Sequence, residues 1–193
     1  MKKENILKQI VLQEYGEKKH PKLTTNQFLL SSELYFEIER IYKELGGTQE
    51  EPPLKFGAWD ISTPKFIMEL DEENHFNRYR LQTLNSNIYQ SIKGFPLEAY
   101  KQFCTQYESR YRKFRGYWKS DSSENLFMKS NDNGCLNGAG SSRWRQRAFY
   151  DFLRDVTGLI KGIPVIRLSI YQTFKGKNVQ NIIESKDKIM ILD

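Results

Sequence analysis

Residues 59–80 read WDISTPKFIMELDEENHFNRYR, and the fold turns on this stretch. Phe66, Met68 and Leu70 alternate with Ile67, Glu69 and Asp71, the period of two that sends successive side chains to opposite faces of a β-strand. The alternation predicts a strand over 65–71. Residues 55–61 predict a second, joined to it by the tight Ser62-Thr63-Pro64 turn. Antiparallel pairing through that turn sets Asp60 level with Glu69, with Asp71 two residues farther along the same face. Three carboxylates at that spacing repel one another strongly unless a cation stands between them. Oxygen-only ligands favour Mg2+ or Mn2+ over zinc, and an ion so held activates water against a phosphodiester. The same residues also read as a turn cap (Asp60) and a solvated strand exit (Asp71, Glu72, Glu73). Both readings stay open at this point.

Working outward, Ile6, Ile10 and Val11 have helical spacing, so residues 5–15 predict a short amphipathic helix in an N-terminal extension over 1–30. A second helix runs from a Ser31 or Ser32 cap to Gly46-Gly47, with Leu34, Ile38, Ile41 and Leu45 as its apolar stripe. Residues 85–142 form a long excursion. Within it, 97–114 predict a helix with an aromatic side and a basic end, and 120–142, rich in Ser, Asn, Gly and Asp, predict a flexible loop. Residues 143–156 predict a strong helix, followed by a buried strand in PVIRLSIYQ. The order helix, strand, strand, excursion, helix, strand implies one α/β or α+β domain over 1–193, with a mixed central sheet flanked by helices.

The 193 residues suffice for one domain with a sizeable core, and 12 Phe, 11 Tyr and 3 Trp argue against disorder. Cys104 and Cys135 are too far apart for a disulfide framework or a zinc signature, and His20 and His75 are the two histidines. No apolar stretch approaches membrane-span or signal-peptide length, so the expected location is the cytoplasm.

The stretch FIMELDEENH, with Asp60 one strand earlier, resembles the PD-(D/E)xK nuclease superfamily. It is most similar to the branch of very-short-patch-repair-type endonucleases. The resemblance implies a restriction-endonuclease-like core and a Mg2+-dependent phosphodiester hydrolase, with Mn2+ able to substitute. Asp60 and Glu69 become metal ligands. Asp71 stands in the slot where the superfamily usually carries lysine, either holding a second ion or leaving the lysine's role to another residue. His75 matches the branch's histidine. A second element, Gln146 and Tyr150 in WRQRAFYDFLRD, is similar to the Gln-x-x-x-Tyr helix of RecB-type members, where the Gln contacts the site and the Tyr faces nucleic acid.

The charge of +6 permits a polyanionic partner. Arg110, Arg112, Lys113, Arg115 and Lys119 are interleaved with aromatic residues, and Arg143, Arg145 and Arg147 follow across the loop. Cations neutralise phosphates while rings stack on bases, so these residues point to DNA. Arg78 and Arg80, just after His75, are candidate phosphate clamps. The expectation is a metal-dependent DNA endonuclease, open to forming a homodimer, with an RNA-processing nuclease as an alternative. The competing reading is a non-catalytic nucleic-acid- or partner-binding module on a degenerate nuclease fold, for which the missing lysine speaks.

Overall fold

The computed structural model describes residues 2–111 and 118–187. The chain runs α1 (Lys3–Tyr15), α2 (Thr25–Leu30), α3 (Ser32–Glu44), β1 (Ile61–Ser62) and β2 (Ile67–Asp71), then a 3-10 turn at Glu73–His75. It continues with α4 (Arg78–Thr83), α5 (Leu97–Tyr111), α6 (Asp121–Glu124) and α7 (Ser142–Lys161). β3 (Val165–Ser169), a small hairpin of β4 (Thr173–Phe174) and β5 (Lys177–Asn178), and α8 (Val179–Ser185) complete it. The fold is mixed α/β around a three-stranded mixed sheet in the order β1-β2-β3. No described helix is long and apolar enough to cross a membrane.

The expected hairpin is present, with Ile61 opposite Met68 and Ser62 opposite Ile67. Thr63 fastens its turn: the hydroxyl accepts from the Lys65 and Phe66 amides and donates to the Phe66 carbonyl. The strand expected over 55–61 is a correction, because only Ile61 and Ser62 join the ladder. The Asp60 amide, which would have continued it, instead donates to the Glu69 carboxylate at 3.2 Å.

β3 pairs with β2 in parallel, placing Arg167 beside Glu69 and Ser169 beside Asp71. Parallel strands require a crossover, and here it spans everything from the 3-10 turn to α7. The central strand β2 is buried at every position. Met68 and Leu70 face a cluster with Leu7 and Val11 of α1 and Val179 and Ile183 of α8, so the N-terminal segment is a layer of the core. The opposite face, carrying Glu69 and Asp71, meets α7.

α7 is longer than the sequence suggested. The Ser141 hydroxyl caps it by accepting from the Trp144 amide, and Gly162 ends it in the left-handed conformation. The segment expected to be a flexible loop is another correction. The Ser142 hydroxyl lies 2.8 Å from those of both Ser123 and Ser130, and Phe127 and Leu136 are buried. Short polar side chains there satisfy an irregular backbone, which composition alone reads as mobility. The basic residues Arg112, Lys113 and Arg115, expected at the end of the 97–114 helix, lie outside the described residues.

Candidate functional site

Between the sheet and α7 lies a layer of charge. Glu69 and Asp71 project from β2, Arg167 from β3, and Asp151, Arg154 and Asp155 from α7. All are buried or nearly so. Positions 151 and 155 are one helical turn apart, so both carboxylates face the strands. Keeping such groups charged in a low-dielectric interior requires direct partners.

Arg167 supplies them. Its Nη1 donates to Asp71 at 2.8 Å and to Asp151 at 3.3 Å, its Nε donates to Asp155 at 2.9 Å, and its Nη2 donates to the Asp151 carbonyl at 2.8 Å. The planar guanidinium fork suits this multi-acceptor role, where a lysine would deliver one point charge. Asp155 is shared with Arg80 and with the Tyr89 hydroxyl, at 2.9 and 2.8 Å. The Tyr100 hydroxyl donates to Asp71 at 2.8 Å. Burial, reinforced by the adjacent carboxylates, pushes both phenols well above their ordinary range, so they act as neutral donors.

His75 forms the edge of the layer. Its Nδ1 lies 2.7 Å from Asp151 and 3.2 Å from Asp71, with 23% of the side chain exposed. Burial alone would raise the Asp151 carboxyl, but His75 and Arg167 beside it hold it well below the usual carboxylate range. One ligand atom each from Asp71, His75 and Asp151 lies within 4.8 Å of the others, a grouping able to hold a metal ion.

The expected trio Asp60, Glu69 and Asp71 is adjacent but does not converge on one point. Asp60 accepts from the Leu70 amide at 2.9 Å, Glu69 stands 3.1 Å from Arg154 Nε, and Asp71 faces Arg167. The Arg154 Nε atom lies off hydrogen-bond direction and has no acceptor. Burial raises Asp60, against the pull of the Leu70 amide. Burial likewise pushes Glu69 up to about 8, with Arg154 opposing. At neutral pH Glu69 is therefore largely protonated.

A carboxyl raised on folding binds more protons in the native than in the unfolded state. Its stabilising contribution is full below the ordinary Glu value of 4.5 and is lost as pH rises through about 8. In metal-free buffer, Glu69→Gln is expected to flatten the pH dependence of unfolding free energy across that window. The component removed amounts to about 1.4 kcal/mol per pH unit at most. Urea titrations at several pH values check this, and equal slopes in both proteins would mean that Glu69 is ionised throughout.

Gln146 and Tyr150 share a face of α7 as expected, Gln146 Nε2 donating to the Tyr150 hydroxyl at 3.4 Å. Arg143 donates to the side-chain carbonyl of Gln146. Two turns beyond Gln146, it is Arg154 that reaches Glu69, so Gln146 makes no described bond to the acidic layer.

The basic candidates divide by burial. Arg80 is a correction: it is 1% exposed, with donors on Asp155, Tyr89 and Thr83, and no phosphate reaches it. Arg145 is another, buried over the Tyr79 ring with donors on the Ala139 and Leu45 carbonyls. Arg78 is half-exposed and donates through Nε and Nη2 to Glu108 and through Nη1 to the Leu136 carbonyl. Arg110 stands over the Tyr107 ring at the exposed end of α5, and Lys119 is exposed. Arg143 and Arg147 are half-buried on the first turns of α7, Arg147 donating to the Asn74 carbonyl.

Sequence reading missed Asp151, Arg154, Asp155 and Arg167. Two signals were available: carboxylates at i, i+4 on a helix whose neighbours Ala148, Phe152 and Val156 are apolar, and an arginine inside a buried strand.

The chain belongs to a family of unknown function (DUF7255), whose profile matches residues 40–185. The span includes every residue of the charged layer. No curated protein and no solved structure matches the chain.

Proposed function

We propose that the protein is a divalent-metal-dependent nuclease whose cation is held by Asp71, His75 and Asp151. The observation that carries this reading is the convergence of their three ligand atoms where the buried layer meets solvent. Two ligands at ~2.1 Å from an ion and at right angles to each other lie about 3.0 Å apart. The 2.7 and 3.2 Å separations around His75 Nδ1 fit that geometry. An imidazole ligand favours Mn2+ over Mg2+, a shift from the all-oxygen set expected at Asp60 and Glu69. When bound, such an ion polarises a phosphoryl oxygen and lowers the pKa of a coordinated water.

The remaining groups have roles that follow from their positions. Arg167 and Tyr100 fix the rotamer of Asp71, and Arg167 does the same for Asp151. Glu69, largely protonated, adds little repulsion near an approaching phosphate. The hairpin, crossover helix and parallel strand support a restriction-endonuclease-like core, and the excursion contributes no further strand to the described sheet.

A second reading, a binding module on a fold that has lost catalysis, is favoured by a separate observation. Arg167 already pairs with Asp71 and Asp151, two of the three candidate ligands, so these carboxylates need no metal for stability. Incubating supercoiled plasmid and single-stranded RNA with the protein in Mn2+ or Mg2+, alongside calorimetric Mn2+ titration, separates the two. Nicking with stoichiometric Mn2+ uptake is expected. Nucleic-acid binding without cleavage or metal uptake would make the second reading the correct one.

The exposed Arg110 and Lys119, with the half-buried Arg143, furnish the DNA-contacting surface in this reading. Substituting Arg110, Lys119 and Arg143 by Ala is expected to reduce the log–log salt slope of duplex DNA binding by about 0.9 for each phosphate that is no longer neutralised. Fluorescence anisotropy over a salt series measures it, and an unchanged slope would assign these side chains to a solvated face.

A further inference from the structure

A different part of the molecule carries a feature that nuclease activity does not use. α2 is a six-residue helix started by a capping box between Thr24 and Gln27 and broken from α3 at Ser31. It buries Phe28 alone. Leu29 is 48% exposed, Leu30 85%, and Phe36, on the outer side of α3, 68%. Large apolar side chains clustered on one exposed surface mark interaction sites more often than isolated ones do.

A cleft of about 520 Å3 opens at this elbow, its apolar side formed by Leu29, Tyr35 and Phe36 and its rim by Glu39, Glu50 and Glu51. Among the described residues, no Lys or Arg stands within salt-bridge distance of those three carboxylates, whereas Arg40 engages Glu37 and Glu44 on the neighbouring face. The Tyr35 phenol registers the resulting field: burial, then the charges of Glu39 and Glu51, raise it. Such a rim repels nucleic acid. It also opposes a second copy docking through the same patch, because isologous contact would set carboxylates against carboxylates. An apolar floor with an acidic rim complements an amphipathic helix that carries Lys or Arg beside its apolar stripe. The family-matched span begins at residue 40, so Leu29, Leu30 and Phe36 lie outside it.

We propose that the α2–α3 elbow is a docking surface for a basic amphipathic segment of a partner protein. Leu29 and Phe36 in the cleft lining, with the exposed Leu30 next in sequence on α2, provide the apolar anchors, and Glu39, Glu50 and Glu51 provide the charge selection. The test uses the full chain and two synthetic helical peptides, one of leucine and lysine and one of leucine and glutamate in the same pattern. The lysine peptide is expected to bind at least about tenfold more tightly than its glutamate counterpart. Leu30→Ser with Phe36→Ser is expected to weaken lysine-peptide binding by about tenfold or more, as loss of central anchors does. Glu50→Lys with Glu51→Lys is expected to abolish the preference between the peptides. These side chains are exposed, so unchanged melting curves confirm that the variants fold. Equal binding of the two peptides, or binding untouched by the Leu30 and Phe36 substitutions, overturns the proposal. A dimer in sedimentation that dissolves in the Leu30/Phe36 variant overturns it as well, by naming a second copy as the occupant.

Discussion

Replacing Arg167 by Met is expected to lower the stability of the fold by about 3–5 kcal/mol, the range for removing one partner from a buried ionic cluster. The guanidinium is fully buried and bonds three carboxylates from two elements. Methionine keeps the aliphatic volume but leaves Asp71 with Tyr100 and His75, and Asp155 with Arg80 and Tyr89. Against a typical total of about 5–15 kcal/mol, that loss is a large fraction. Arg167→Lys retains the charge but cannot span three acceptors, so it recovers part of the loss. Urea unfolding at neutral pH measures both variants. A loss for Arg167→Met below about 1 kcal/mol would show that the carboxylates it faces are not held as ions.

His75→Ala is expected to weaken Mn2+ binding and Mn2+-dependent cleavage by about 10²-fold or more, since altering even the residues behind a metal ligand costs about 10–100-fold. The effect on folding is smaller than for Arg167, because the His75 side chain is partly exposed and lies at the rim of the layer. Added imidazole, small enough to enter the space vacated, is expected to restore part of both activities. Calorimetry and plasmid nicking, with and without imidazole, provide the readouts. Cleavage surviving intact in His75→Ala would remove His75 from the metal site. The variant leaves the α2–α3 elbow untouched, so the peptide docking proposed there and the proposed nuclease activity are tested independently.

What the sequence determined by itself is what depends on near neighbours. The alternation over 66–71 placed Glu69 and Asp71 on one face of a strand, and the Thr63 turn set that strand against Ile61 and Ser62. The apolar periodicity over 143–156 marked the body of α7, though not its full length to Lys161, and the i, i+4 spacing put Gln146 beside Tyr150. Caps, turns and periodicities act within a few residues of one another, so they leave a trace that can be read in one dimension.

The tertiary structure alone decided which charges meet. Asp71 and Arg167 lie 96 positions apart and touch because β3 pairs in parallel with β2 and α7 crosses the same face. Nothing local marks Arg80 as different from Arg78, or Arg145 from Arg143, yet one of each pair is buried and spent on internal acceptors. The grouping able to hold a metal ion accordingly joins Asp71 to His75 and Asp151, where the sequence pointed to Asp60 and Glu69 beside Asp71. Burial assigns these roles because a charge withdrawn from water must find its partner within the protein, and the partner available depends on how distant segments pack.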